Sequence, residues 1–214
     1  MAIKNLHQYV IVSDFDGTIT QEDSNDLLLT TLGTEKNIKI EEDYISGLIG
    51  NKEAMDLHFE EMVISMEEYI NFIKENITID PYFDNFLAHI KAQGIPFFIV
   101  SAGFKQGIQC VLGPHRLKGV QVFANELKGN PLKPWAAHKD LICKKGFGPC
   151  TICKKIIIDE IREATNKKII YIGDGLTDRC ADADILFAKN ALAQYCDTQG
   201  LSYHPFQTFN EINI

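Results

Sequence analysis

Five short apolar runs, set apart by helix-length segments, constrain this chain more than any other feature. They are Tyr9–Val12, Pro96–Val100, Val120–Phe123, Lys168–Ile172 and Ile185–Ala188. A strand with one wet face alternates apolar and polar residues, whereas a strand covered on both faces is close to continuously apolar. These runs are mostly of the second kind. Between them, 82–94 places Phe83, Phe86, Leu87 and Ile90 at helical spacing and ends at Gly94, and 154–168 does the same with Ile157, Ile158 and Ile161. Buried strands alternating with helices imply an α/β fold, a Rossmann-like parallel sheet sandwiched by helices. With 214 residues, 45% of them hydrophobic, the chain is large enough to bury such a core and carry an insert.

The alternation breaks once. From Gln21 to Ile79 there is helical patterning without a convincing strand: Met55, Phe59, Met62 and Val63 form one apolar stripe, and Tyr69, Ile70, Phe72 and Ile73 another. That is too long for a βα connection. The expected organisation is a core of 1–20 and 80–214 with a helical insert, 21–79, after the first strand. The alternative is that these helices simply pack on one face of the sheet. The segment 35–43, EKNIKIEED, reads as a solvated connection, and His58 as a packed residue on the apolar stripe.

Charge narrows the partners. The formal net charge is −8, with 21 Lys and Arg against 29 Asp and Glu and no basic stripe, which argues against nucleic acid or anionic membrane. No apolar run approaches the roughly 18 residues of a membrane span. The first twenty residues lack a signal-peptide pattern, so a cytoplasmic protein, monomeric or homodimeric, is expected. The six cysteines then read as free thiols. His138, Cys143, Cys150 and Cys153 could alternatively form a zinc site, although only Cys150 and Cys153 have ligand-like spacing. Trp135 fits a core position or a substrate-side wall.

Three of the apolar runs end on chemistry. YVIVS leads into Asp14, FFIV into Ser101-Ala102-Gly103, and IIYI into Gly173-Asp174-Gly175. In an open parallel sheet the carboxyl ends of the strands share one crevice, where ligands bind. Asp14, Asp16 and Asp174, with Asp178 a turn beyond, would repel one another there unless a hard divalent cation joined them. Mg²⁺ is commonly held by one or two carboxylates plus a substrate phosphate. The Thr18 and Ser101 hydroxyls and the amides around Gly17, Ala102 and Gly103 are suitable donors to phosphate oxygens. The crevice therefore reads as a site for phosphate chemistry. Asp14 is placed as a nucleophile and Asp16 as a second acid close to the same phosphorus.

Asp14-Phe15-Asp16-Gly17-Thr18, Ser101, a lysine opening a helix, and Gly173-Asp174-Gly175-Leu176-Thr177-Asp178 together resemble the four motifs of the haloacid dehalogenase-like phosphatases. The motifs occur in order and span nearly the whole chain. The resemblance implies an aspartyl-phosphate intermediate on Asp14 and a general acid/base at Asp16. It places Mg²⁺ on Asp14, Asp16 (through its backbone carbonyl) and Asp174, with Asp178 a further metal candidate. Phosphate contacts are implied for Ser101 and a lysine, and the insert becomes a small helical cap. Among the candidate lysines, Lys154 or Lys155 opens the helix before Ile169–Ile172. Lys154 is chosen because Cys150-x-x-Cys153-Lys154 resembles a Cys-x-x-Cys-Lys pattern of two subgroups. One acts on 2-hydroxy-3-keto-5-methylthiopentenyl-1-phosphate in methionine salvage, the other on phosphoethanolamine or phosphocholine.

Chain length, the DGTIT form and SAGF at 101–104 favour the salvage subgroup. Glu22 and Asp23 are the expected substrate contacts from the cap side, and Asp23 lies where phosphoserine phosphatases carry an acid that reads the substrate amine. The expected partner is a small phosphorylated metabolite, with a phosphoethanolamine, phosphocholine or phosphoserine phosphatase as alternatives. A different class of reading is a phospho-ligand sensor without turnover.

Overall fold

The computed structural model describes residue 3, residues 5–135 and residues 150–214. Seven strands form one sheet in the order β4-β3-β2-β1-β5-β6-β7. They are β1 (Tyr9–Ser13), β2 (Phe97–Phe104), β3 (Val120–Lys128), β4 (Lys133–Trp135), β5 (Lys168–Gly173), β6 (Ile185–Ala188) and β7 (His204–Pro205). All neighbours pair in parallel except β3 with β4. The α/β fold expected from the apolar runs is the fold present.

The period of two explains the sandwich. On one face Ile11, Phe97, Ile99, Ile170 and Ile172 pack with Phe83, Phe86, Leu87 and Ile90 of helix α5 (Phe83–Ala92). On the other, Val10, Val12, Phe98, Val100, Ile169 and Tyr171 pack with Ile157, Ile158 and Ile161 of helix α7 (Lys154–Thr165). Each central strand thus loses apolar area to helices on both sides, the condition that makes its sequence continuously apolar. Helix α6 (Lys105–Leu117), kinked at Gly113, links β2 to β3, and α8 (Asn190–Gln199) follows β6.

Two strands were not legible in the sequence. β4 has three residues and β7 two, too short for a periodic signal. β4 continues from the end of β3, whose ladder runs on to Lys128 rather than stopping at Phe123. Trp135 lies half-exposed on β4 with the Lys128 ammonium 4.1 Å from its ring centroid, so it is not a core residue. His138 and Cys143 of the possible zinc set lie outside the described residues.

Between β1 and α5 run four helices: α1 (Ser24–Leu32), α2 (Glu35–Ile45), α3 (Asn51–Glu61) and α4 (Met66–Asn76). A bridge between Thr20 and Ile79 closes the two ends of this excursion against each other. Leu28, Phe59, Met62, Tyr69, Phe72 and Ile73 form its interior, shared with Phe104 of β2 and Leu127 of β3. Val63, expected on the stripe, is exposed because α3 ends before it.

The reading of 35–43 as a connection is corrected, since these residues form most of α2. Its Ile38 and Ile45 face outward, and its buried residue is the polar Asn37, so no apolar stripe announces the helix. Asn37 starts it instead: its side-chain Oδ1 accepts from the Thr34 amide at 2.8 Å.

The Tyr69 hydroxyl is fully buried and, among the described residues, has no hydrogen-bond partner. An unpaired buried hydroxyl costs free energy that a phenyl ring does not. Tyr69→Phe is expected to raise stability by about 1 kcal/mol in urea denaturation; a loss of stability would show that the hydroxyl is satisfied.

Candidate active site

β1 ends at Ser13, and the Asp14 amide still donates to the Ile172 carbonyl of β5 at 2.9 Å. The strand ladder therefore fixes the Asp14 backbone to the centre of the sheet. Its Oδ1 accepts from the Phe15 amide at 2.7 Å, and its Oδ2 lies 2.7 Å from the Lys154 ammonium. Lys154 is the first residue of α7, and its Nζ also lies 2.6 Å from Asp178 Oδ1. Both ion pairs are buried. Lys155, one residue on, points outward to Asp159 at 2.9 Å and Asp182 at 3.5 Å. Among the described residues the fold brings Lys154, and not Lys155, to Asp14.

The turn after β5 builds a second acid site. Asp178 is buried and accepts from Lys154, from the Tyr171 hydroxyl, and from the amides of Asp174 and Gly175 at 3.0 and 2.9 Å. Asp174 accepts from Thr18 Oγ1 at 2.8 Å and from Asn190 Nδ2 at 3.3 Å. Oxygen atoms of Asp14, Asp174 and Asp178 lie within 4.8 Å of one another. Asp16, two residues past the nucleophile candidate, accepts from the Ser24 amide at 3.1 Å, while Ser101 Oγ lies 3.5 Å from its other oxygen and accepts from the Gly103 amide at 2.9 Å.

Two glycines make this packing possible. Gly17 has φ +66°, and a Cβ there would sit 2.4 Å from Asp174 Oδ2. A Cβ on Gly103 would sit 2.3 Å from Asp16 Oδ2. The chain approaches both carboxylates too closely for any side chain.

The electrostatics follow from crowding acids out of water. Burial, then Asp178, pushes the Asp14 carboxyl well above its ordinary range, and Lys154 only partly offsets them. Burial and Asp178 likewise raise Asp174. Burial, then the Asp23 charge, raises Asp16 to about 7, and burial with Asp26 raises Asp23 to about 6. Burial alone would pull Lys154 down, but Asp14 and Asp178 outweigh it and the net shift is upward. Three converging carboxylates with one ammonium leave excess negative charge, and an all-oxygen donor set of this kind fits a hard divalent cation.

Asp14, Asp16, Gly17, Asp23, Ser101, Ala102, Gly103 and Asp174 line one cavity of about 510 Å³. Asp178 and Lys154 lie behind this wall, and Thr18 turns to Asp174. Asp23 caps α1, accepting from the Asn25 and Asp26 amides at 2.9 and 3.0 Å. Glu22 is not brought to the cavity: its carboxylate accepts from the Thr78 amide and hydroxyl at 2.8 and 2.9 Å. Sequence reasoning missed Asn190, Tyr171 and the outer cavity wall, including Asp26, Glu41 and His58. Tyr171 carried a usable signal, a hydroxyl inside a buried strand that had to find a partner. Asn190 carried none.

Comparison with known proteins accords with this geometry. Residues 9–193 match the family model described as "Putative Phosphatase". The polyol phosphate phosphatase PYP1 of Saccharomyces cerevisiae is 32% identical, covering 95% of this chain and 90% of its own length. The 2-hydroxy-3-keto-5-methylthiopentenyl-1-phosphate phosphatase of Brevibacillus brevis is 29% identical over 95% of this chain and 92% of its own. A substrate-bound phosphoserine phosphatase structure superposes with a TM-score of 0.67 at 17% identity, over 93% of this chain and 92% of that one, a likeness of fold. Matched motifs, matched family and shared fold converge: this chain belongs to the "Putative Phosphatase" family and is a haloacid dehalogenase-like phosphatase, a hydrolase of phosphoric monoesters that resembles the methylthiopentenyl-phosphate phosphatases.

Proposed function

We propose that the protein is a Mg²⁺-dependent phosphatase of a small phosphorylated metabolite, acting in the cytoplasm through an aspartyl-phosphate on Asp14. The observation that carries this reading is the Asp14–Lys154–Asp178 chain, a carboxylate held at a strand end by a buried ammonium and facing a cavity. An Asp14 carboxylate oxygen attacks phosphorus, the ester P–O bond breaks, and the leaving alkoxide takes a proton from Asp16. The Asp16 carboxylate then accepts a proton from water as that water attacks phosphorus, and breaking the Asp14 O–P bond frees phosphate and regenerates both acids. Lys154 stays charged throughout and holds Asp14 in place, while the Ser101 hydroxyl and the amides of Ala102 and Gly103 are set to donate to phosphoryl oxygens.

The metal would be held by the Asp14 and Asp174 carboxylates and the Asp16 backbone carbonyl, with Asp178 beside them. Its chemistry there is to screen the acids from an incoming phosphate dianion. Residues 21–79 serve as a cap that encloses the leaving group, with Asp23 on its inner side.

Among leaving groups, 2-hydroxy-3-keto-5-methylthiopentenyl-1-phosphate is supported by the relatives that carry that name and by the apolar wall of Leu28, Met55, Phe59 and Met62. A polyol phosphate is a second candidate on the likeness to PYP1. Hydrolysis of p-nitrophenyl phosphate is expected to fall at least about 100-fold in EDTA and to return with added Mg²⁺. Phosphate binding without any release under Mg²⁺ would favour a sensor instead.

A further inference from the structure

The described residues lining the cavity include six acids, Asp14, Asp16, Asp23, Asp26, Glu41 and Asp174, and neither lysine nor arginine. Lys154, the nearest buried ammonium, is committed to Asp14 and Asp178. Asp14, Asp16 and Asp174 face the phosphoryl group in the proposed reaction. Asp23, Asp26 and Glu41 do not, and they belong to the wall that the leaving group must meet.

Glu41 is held there by a buried polar relay that the chemistry does not use. The Asn37 amide orientation is set by its Oδ1, which accepts from the Thr34 amide, so its Nδ2 faces His58 Nδ1 at 3.1 Å as donor. The same Nδ2 lies 3.2 Å from the His58 carbonyl. The His58 proton is thereby assigned to Nε2, which faces Glu41 Oε2 at 3.2 Å. Asn37 and His58 are both buried, beside the apolar cluster of the insert. Asn37 thus fixes the ring of His58, and the one bond of this relay that leaves the insert's framework, from His58 Nε2, goes to the Glu41 carboxylate on the cavity wall.

From this we infer that the cavity selects by charge: it admits leaving groups that are uncharged or cationic and rejects those carrying a carboxylate or a second phosphate, with Glu41 the principal selecting residue. This rests on the phosphatase reading above and sharpens its substrate class. An anionic leaving group would have to be desolvated beside Glu41 and Asp26 with neither lysine nor arginine among the described lining residues to pair it, and like charges in a partly enclosed site repel far more than in water. Hydroxyl or ammonium groups meet acceptors on the same wall. The inference is compatible with the methylthiopentenyl and polyol candidates and disfavours phosphoserine.

Two matched pairs of substrates test it, each differing in one carboxylate: glycerol 3-phosphate against 3-phosphoglycerate, and phosphoethanolamine against phosphoserine. With Mg²⁺-loaded protein, kcat/KM is expected to favour the first member of each pair at least fivefold; a smaller preference in either pair overturns the inference. In Glu41→Gln the preference is expected to shrink at least threefold in both pairs, and in Glu41→Lys further still. His58→Ala should shrink it in the same direction, because Glu41 then loses its anchor, a change of selectivity that mere loosening of the fold would not produce. Discrimination unchanged in Glu41→Gln would remove that residue from the role. p-Nitrophenyl phosphate in every arm separates the two levels: no Mg²⁺-dependent turnover of it defeats the phosphatase reading, whereas turnover without discrimination defeats only the charge selection. The ratio of glycerol 3-phosphate to phosphoethanolamine turnover separates a hydroxyl-selecting wall from an ammonium-selecting one.

Discussion

Asp14→Asn is expected to lose at least about 10⁴-fold in turnover of any phosphate monoester, because the amide cannot form the covalent intermediate. Fold should survive, since asparagine is isosteric and relieves part of the repulsion that burial, Asp178 and Asp174 impose on this carboxyl. Loss of activity with an unchanged or higher Tm therefore separates chemistry from unfolding. Activity within tenfold of wild type would remove Asp14 as nucleophile. Asp16→Asn should behave differently. p-Nitrophenolate leaves without a proton, so this variant is expected to release about one equivalent rapidly and then stall, whereas an alkyl phosphate should show almost no burst. The pH profile gives an independent check. Burial and Asp23 hold the Asp16 carboxyl up at about 7, so its acid form is present below that value and is lost above it. For alkyl phosphates kcat/KM is expected to decline above pH 7, and the decline should disappear in Asp16→Asn.

Lys154→Met is expected to be the most destabilising single change near the site. Lys154 is the shared ammonium of two buried carboxylates, 2.7 Å from Asp14 and 2.6 Å from Asp178. Removing one partner of a buried ion pair leaves uncompensated charge and costs about 3–5 kcal/mol, far more than the pair itself is worth against an apolar replacement. Without the ammonium the Asp14 carboxyl, which burial and Asp178 already push up against the pull of Lys154, sits higher still above its unfolded value. The folded state then binds more protons than the unfolded one, so stability rises as pH falls towards the ordinary carboxylate range near 4. Urea denaturation of metal-free protein should show the deficit at pH 7.5 and a clearly smaller one at pH 5.5. Equal stability of variant and wild type at pH 7.5 would mean that the buried acids do not need the ammonium, and the account of the Asp14–Lys154–Asp178 chain would fall.

Asp14, Asp174 and Ser101 were legible because each follows a continuously apolar run, and burial of a central strand on both faces dictates both the run and the position of its end. Helix α7 was legible from Ile157, Ile158 and Ile161, which choose its buried face. Helix α2 was not, because its buried residue is the polar Asn37 and two of its isoleucines, Ile38 and Ile45, point to solvent. Glu22 and Asp23 are neighbours that were both expected at the substrate, yet one is turned to Thr78 and the other to the cavity. Their directions depend on where 78–79 returns beside Thr20, a contact between residues nearly a whole insert apart.

What the sequence by itself determined is the set of carboxylates and the sheet that presents them, since strand burial and motif order are local properties written in consecutive residues. The tertiary structure turned Lys154, the lysine that the Cys150-x-x-Cys153-Lys154 pattern selects, to Asp14 and Lys155 away from it, and it alone decided that Tyr171 and Asn190 steady the acids and that Glu41 is aimed by His58 and Asn37. Those choices depend on which side of a helix faces the core and on contacts between distant segments. Neighbouring residues of one type are equivalent until packing gives them opposite surroundings.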